Sequence, residues 1–263
     1  MMEPLVLVPG VQGRWEYMRR TVDALSAHFR VVTFSLRGNS IDEYADQIAG
    51  ALDERQIDRA IVCGVSFGGR VALRFAATAR ARTSALVLVS TPGPEFHLRP
   101  RHLTYTRWPR VFGPLFLAEA PWRLRAELLA ALPDWRARWA FRLEAARTLM
   151  TAPPVLTAMA ARARMLDPVS AKADCERVTV PTLIVTGEPH MDHVVSATSS
   201  QYIQLIAGAR GAILEHTGHL GTMTRPDAFA ALVHDFVRSV RRQPPFDASQ
   251  DGLDPVSRPD QVA

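Results

Sequence analysis

The 263-residue chain holds only two cysteines, Cys63 and Cys175, too few for a disulfide framework. Cys63 lies in an apolar run, where a thiol acts as a small buried hydrophobe, so a reducing compartment is expected. No apolar run approaches the ~20 residues of a membrane-spanning helix. The opening stretch MMEPLVLVPG has no positive region ahead of its short apolar run, so no signal peptide is expected either. The expected location is the cytoplasm. Lysine is scarce as well: nearly all of the 31 basic residues are arginine, set against 26 acids for a net charge of +5. The arginines are interleaved with acids and leucines at helical spacing, which is the pattern of solvated helix faces, so no nucleic-acid partner is expected. No internal repeat is visible.

What the chain does have is enough apolar content, 48%, to bury one full core. Short, mostly non-alternating apolar runs at 5–8, 31–35, 60–63, 85–90, 182–186 and 212–215 read as strands buried on both faces. Helical patterns at 15–28, 41–56, 67–80, 194–207 and 226–241 lie between and after them. Strand alternating with helix predicts an α/β fold, a doubly wound, mostly parallel sheet of about six strands. Residues 95–172 break the rhythm with Trp108, Trp122, Trp135 and Trp139, several prolines and no strand pattern. They read as an all-helical cap inserted into a core of residues 1–94 and 173–241. The cap carries about a dozen basic residues against about six acids, and its tryptophans, at helical spacing, read as packing residues. Residues 242–263, polar and proline-containing, read as a disordered tail.

The sharpest signal is Gly64-Val-Ser66-Phe-Gly68, placed between a buried strand and a helix. A serine on such a turn is pushed out of the sheet by a strained backbone, and its neighbours must be small because strand and helix nearly touch. Ser66 is therefore the candidate nucleophile. It needs a base late in the chain, and LEHTGHLG offers His219, preferred, and His216. It needs an acid to orient that base, for which Asp192, after the strand TLIVT, stands ahead of Glu188 and Glu95. A developing oxyanion needs donors, for which the backbone N–H groups of Phe67 and Val11 are the candidates. Gly10, Gln12 and Trp15, in the loop VPGVQGRW, are the candidate substrate-binding residues. The pairs His190-x-x-His193 and His216-x-x-His219 have a ligand-like spacing but no intervening glutamate base, so no metal is expected.

The order Ser66, Asp192, His219, with CGVSFGGRVAL, VPTLIVTGE and TGHLG and a helical insert between strands, resembles the α/β-hydrolase superfamily over about residues 4 to 240. Within it the likeness is to small bacterial capped carboxylesterases and enol-lactonases. The resemblance implies a serine hydrolase that cleaves a carboxylic ester, thioester or lactone of a small molecule through an acyl-enzyme on Ser66. It implies no cofactor and a monomer or homodimer. A serine in this position departs from dehalogenases and epoxide hydrolases of the same fold, which use an aspartate. An acyl group on an acidic carrier protein is an alternative substrate, and a non-catalytic ligand receptor an alternative role. Three departures stand out: Pro9-Gly10 replaces a His-Gly pair, Asp192 lies five residues after Gly187 where many members place the acid three after, and the N-terminal hairpin is missing.

Overall fold

The computed structural model describes residues 2–166, 171–192 and 200–242. Six strands form one sheet in the order β2-β1-β3-β4-β5-β6, and every pairing is parallel. They are β1 (Pro4–Val8), β2 (Arg30–Thr33), β3 (Ala60–Val65), β4 (Thr83–Val89), β5 (Thr182–Thr186) and β6 (Arg210–Ile213). Helices α1 (Arg19–Ser26), α2 (Ile41–Asp53) and α3 (Phe67–Thr78) make the first crossovers. Between β4 and β5 run α4 (Pro100–Arg107), α5 (Pro109–Ala118), α6 (Ala120–Arg123), α7 (Arg125–Ala131), α8 (Trp135–Thr151), α9 (Leu156–Met165) and α10 (Lys172–Arg177). The chain then continues through α11 (Ser200–Leu205), α12 (Gly221–Thr224) and α13 (Pro226–Arg242).

Side chains alternate across a strand, and here both sets meet helices. Val6, Val8, Val62, Leu86 and Leu88 pack with Tyr44, Ile48, Phe67 and Val71 on one face. Leu5, Leu7, Ile61, Cys63 and Val87 pack with Leu25, Phe229, Val233 and Phe236 on the other. This two-sided burial is why the strands read as continuous apolar runs. It also places the site. From β1 the chain crosses to β2 on one side, and β3 then pairs with β1 on the other side. The C-terminal ends of β1 and β3 therefore flank the point where strand order reverses, the usual ligand crevice of an open α/β sheet.

The expected helix at 15–28 is split: Trp15–Met18 is a 3-10 turn and α1 starts at Arg19. The segment 194–207 is described only from Ser200, and of the expected tail only Arg242, the last residue of α13, lies within the described residues. Four tryptophans correct the sequence reading. Trp108, Trp122, Trp135 and Trp139 expose 56–77% of their surface and are not packed in a core. The physical reason is that the helices between β4 and β5 form a thin layer; α8 buries none of its 17 residues fully. No helix among the described residues is long and apolar enough to cross a membrane.

Candidate active site

Ser66 follows β3 directly and is the residue before α3, with φ 55° and ψ −119°. That left-handed backbone is costly for a residue with a side chain and persists only where the surroundings enforce it. Here they do: the Ser66 N–H donates to the Val89 carbonyl at 2.8 Å and its carbonyl accepts from Gly69 N–H at 3.0 Å. Ser66 caps no amide of α3 with its side chain, so Oγ is left for other partners. The glycines are set by close approach. A Cβ on Gly64 would lie 2.2 Å from the Gly68 carbonyl oxygen, and one on Gly68 would lie 2.4 Å from that of Val8. Gly64→Ala is accordingly expected to cost ~1–3 kcal/mol, read as a lower urea midpoint with unchanged slope.

His219 arrives from the loop after β6. His219 Nε2 lies 3.1 Å from Ser66 Oγ, and its Nδ1 lies 3.2 Å from Asp192 Oδ1. A carboxylate only accepts hydrogen bonds, so the neutral ring carries its proton on Nδ1, donates it to Asp192 and accepts from the serine hydroxyl. Asp192 is 1% exposed and the His219 side chain 23%. Two loops interlock to make this chain. The Glu188 N–H donates to the Thr217 carbonyl at 2.8 Å, and a Cβ on Gly187 would fall 2.4 Å from the Gly218 carbonyl oxygen. The spacing of Asp192 from Gly187 has a local cause: the Asp192 N–H reaches back to the Glu188 carbonyl at 3.0 Å, a single turn that returns the carboxylate to the sheet edge.

The rival residues lie elsewhere. Glu188 Oε1 accepts the backbone N–H of His216 at 2.7 Å, and its other oxygen faces His190 at 3.5 Å. His216 is exposed with φ 61°, and Glu95 is exposed. His193 lies outside the described residues.

Phe67 is the first residue of α3, where amides have no partner inside the helix. Its side chain is fully buried, with the ring edge-on to Tyr44. Gly10 closes the other side: a Cβ there would lie 3.5 Å from Ser66 Cβ and 3.3 Å from Gln12 Oε1. Val11 and Gln12 are half-buried beside it. Trp15 is half-buried at the start of its 3-10 turn, with the Arg19 guanidinium 5.9 Å from the ring centroid. A chain of carboxylate, imidazole and hydroxyl can take the hydroxyl proton as the oxygen attacks a carbonyl. The groove between α1 and α8, about 640 Å³ and lined by Arg19, Arg20, Glu144 and Arg147, contains none of these residues. The reaction geometry, not that groove, locates the site.

Two residues at the site carried no signal in the sequence. Arg162 of α9, 6% exposed, donates to the carbonyls of Val11, Gln12 and Leu36. Glu127 of α7, 2% exposed, accepts the N–H of Leu220 at 2.8 Å. Both look like solvated helix charges in the sequence, since neither partner loop is near them along the chain. Burial is the largest influence on the Glu127 carboxyl and pushes its pKa above the ordinary 4.5, against the opposing pull of amides from Gly218 and Leu220. From the ordinary value up to the raised one, the folded state holds the proton that the unfolded state has lost. Stability from this group is therefore full at low pH and falls as pH rises through that window. Glu127→Gln is expected to lack this component, visible as a flatter dependence of urea midpoint on pH than in wild type.

Comparison with known proteins agrees with the fold and extends it to a family. The alpha/beta hydrolase family profile matches residues 5–232. The pimeloyl-[acyl-carrier protein] methyl ester esterase of Vibrio cholerae is 27% identical, over 89% of this chain and 94% of its own. The 3-oxoadipate enol-lactonase 1 of Acinetobacter baylyi is 22% identical, over 87% of this chain and 85% of its own. The crystal structure of the enol-lactonase from Burkholderia xenovorans LB400 superposes with a TM-score of 0.72 at 24% identity, covering 90% of this chain and 92% of that one. With its parallel sheet, its serine on the turn after β3 and this match over most of its length, the chain belongs to the alpha/beta hydrolase family.

Proposed function

We propose that the protein is a serine hydrolase that cleaves a carboxylic ester, thioester or lactone of a small molecule through an acyl-enzyme on Ser66. The observation that carries this reading is the unbroken chain from Ser66 Oγ through His219 to Asp192, at 3.1 and 3.2 Å. Ser66 attacks the carbonyl carbon while His219 takes its proton; the N–H groups of Phe67 and Val11 hold the oxyanion. Collapse expels the alcohol, which receives the proton from His219. Water, deprotonated by the same imidazole, then attacks the acyl-enzyme and releases the acid. Asp192 keeps the imidazole in the tautomer that accepts from serine. The helices between β4 and β5 serve as a cap over the C-terminal edge of the sheet, with Gly10, Gln12 and Trp15 on the substrate side.

The test is a rapid-mixing experiment with p-nitrophenyl acetate and its longer-chain esters. The expected result is a burst of about one equivalent of p-nitrophenol per active site where deacylation is slow, followed by steady turnover. A folded protein that releases none from any ester of the series overturns the reading.

A second substrate reading, an acyl group carried by an acidic carrier protein, is favoured by the exposed Arg136, Arg142 and Arg147 on α8. It is also favoured by the Vibrio cholerae relative, whose name specifies such a substrate. Changing all three arginines to glutamate is expected to lower kcat/KM on a carrier-bound ester by about tenfold or more through lost electrostatic steering. Activity on p-nitrophenyl acetate should stay unchanged; equal losses on both substrates, or on neither, count against the carrier.

A further inference from the structure

We propose that the cap is a working part of the catalytic scaffold: buried Arg162 positions the oxyanion loop and buried Glu127 positions the loop that carries His219. This deepens the serine-hydrolase reading and rests on it for the roles of the two loops.

The guanidinium of Arg162 reaches from α9 into the loop after β1. Nη1 donates to the carbonyls of Val11 and Gln12, each at 3.1 Å, and Nη2 to that of Leu36 at 3.0 Å. Nε meets the Tyr44 hydroxyl at 3.3 Å, and that hydroxyl donates to the Gly38 carbonyl at 2.6 Å. The loop leaves room for it: Gly13 has φ 71°, and a Cβ there would fall 2.3 Å from Nη1. These bonds set peptide planes. The Gly10 carbonyl accepts the Gly13 N–H at 2.8 Å, and the next two carbonyls are held on Arg162. No peptide bond in the described chain is cis, and in a trans peptide the N–H points opposite to the carbonyl. Holding the Gln12 carbonyl on Arg162 sets the Gly13 N–H across that peptide, which in turn holds the Gly10 carbonyl and so sets the Val11 N–H opposite it. Arg162 supplies a support for the loop in a chain where Pro9-Gly10 stands in place of a His-Gly pair.

Glu127 does the corresponding task from α7. Its Oε1 accepts the Leu220 N–H at 2.8 Å, so the peptide that follows His219 is held by this side chain. A Cβ on Gly218 would lie 2.9 Å from Oε2, so the carboxylate lies directly against the backbone. A guanidinium gripping one loop by its carbonyls and a carboxylate gripping the other by an amide are complementary uses of charge-assisted hydrogen bonds. Both groups touch only backbone at the reaction centre, which makes them positioning residues rather than catalytic ones.

The test uses Arg162→Ala, Arg162→Lys and Glu127→Ala in the full-length protein, with two readouts. In hydrogen-exchange mass spectrometry, Arg162→Ala is expected to speed exchange in peptides covering residues 9–16 and leave 217–223 as in wild type. Glu127→Ala is expected to do the reverse. This readout does not depend on turnover, so it decides the inference even if p-nitrophenyl esters prove not to be substrates. In turnover of p-nitrophenyl acetate, Arg162→Ala should lower kcat about 100-fold, with little change in KM. Low guanidinium concentrations should restore part of that loss, and methylammonium should not. Arg162→Lys, which keeps the charge but not the fork, should show the same pattern to a smaller degree if the alanine variant does not fold. Wild-type exchange in both loops, or faster exchange spread over the whole sheet, overturns the proposal, as does unchanged kcat in folded variants.

Discussion

Ser66→Ala is expected to lower kcat for p-nitrophenyl acetate by roughly a million-fold, with the fold intact. The size follows from what is lost. Without Oγ there is no covalent route, and His219 and Asp192 have nothing to activate. The rate left over is that of water attacking a carbonyl held by the amides of Phe67 and Val11, which in such sites still exceeds the uncatalysed rate by roughly a thousand-fold or more. His219→Ala should fall to nearly the same level, and the double variant should be scarcely worse than either single one, because the two groups act as one unit. The fold should hold because removing the half-buried hydroxyl leaves the left-handed turn tied through the Ser66 backbone bonds to Val89 and Gly69. A double variant whose losses multiply would mean that serine and histidine act independently, against the account.

Asp192→Asn carries the second large effect, about 10⁴-fold in kcat. The carboxylate accepts from His219 Nδ1, whereas an amide can turn its NH₂ toward that nitrogen and favour the tautomer protonated on Nε2. An imidazole with its proton on Nε2 donates toward Ser66 and cannot take the serine proton. Glu188→Gln is the matched control. Its oxygen serves the His216 backbone N–H and no atom of His219, so less than about tenfold in kcat is expected. The reverse ranking, a severe Glu188→Gln and a mild Asp192→Asn, would transfer the acid role to Glu188.

The elbow was legible because its constraints are local. Gly64, Ser66 and Gly68 sit within five residues, and the close approach at Gly64 occurs between the strand and helix they join, while that at Gly68 is to the end of β1. The inner strands β1, β3, β4 and β5 were legible for a related reason, since burial on both faces leaves no polar alternation to confuse, whereas β6 at the sheet edge has no buried residue. The choice of Asp192 over Glu188 depended on the turn after Gly187, whose hydrogen bond from Asp192 to Glu188 no spacing rule specifies. Arg162 and Glu127 were illegible because their partners lie about 150 and 90 residues away, and one charge in a run such as RAELLAAL looks like any solvated helix charge. The tryptophans misled for the opposite reason: Trp135 and Trp139, four apart on α8, share a helix face, but nothing in the sequence says whether a second layer covers it.

Reaction with a fluorophosphonate reads out whether Ser66 is an activated nucleophile. Activated serine attacks phosphorus and expels fluoride, leaving a stable adduct. One adduct per wild-type chain is expected by intact mass, on the peptide containing Ser66, and none in Ser66→Ala. A folded wild-type protein that takes up no adduct, or takes it up equally after Ser66→Ala, would contradict that assignment.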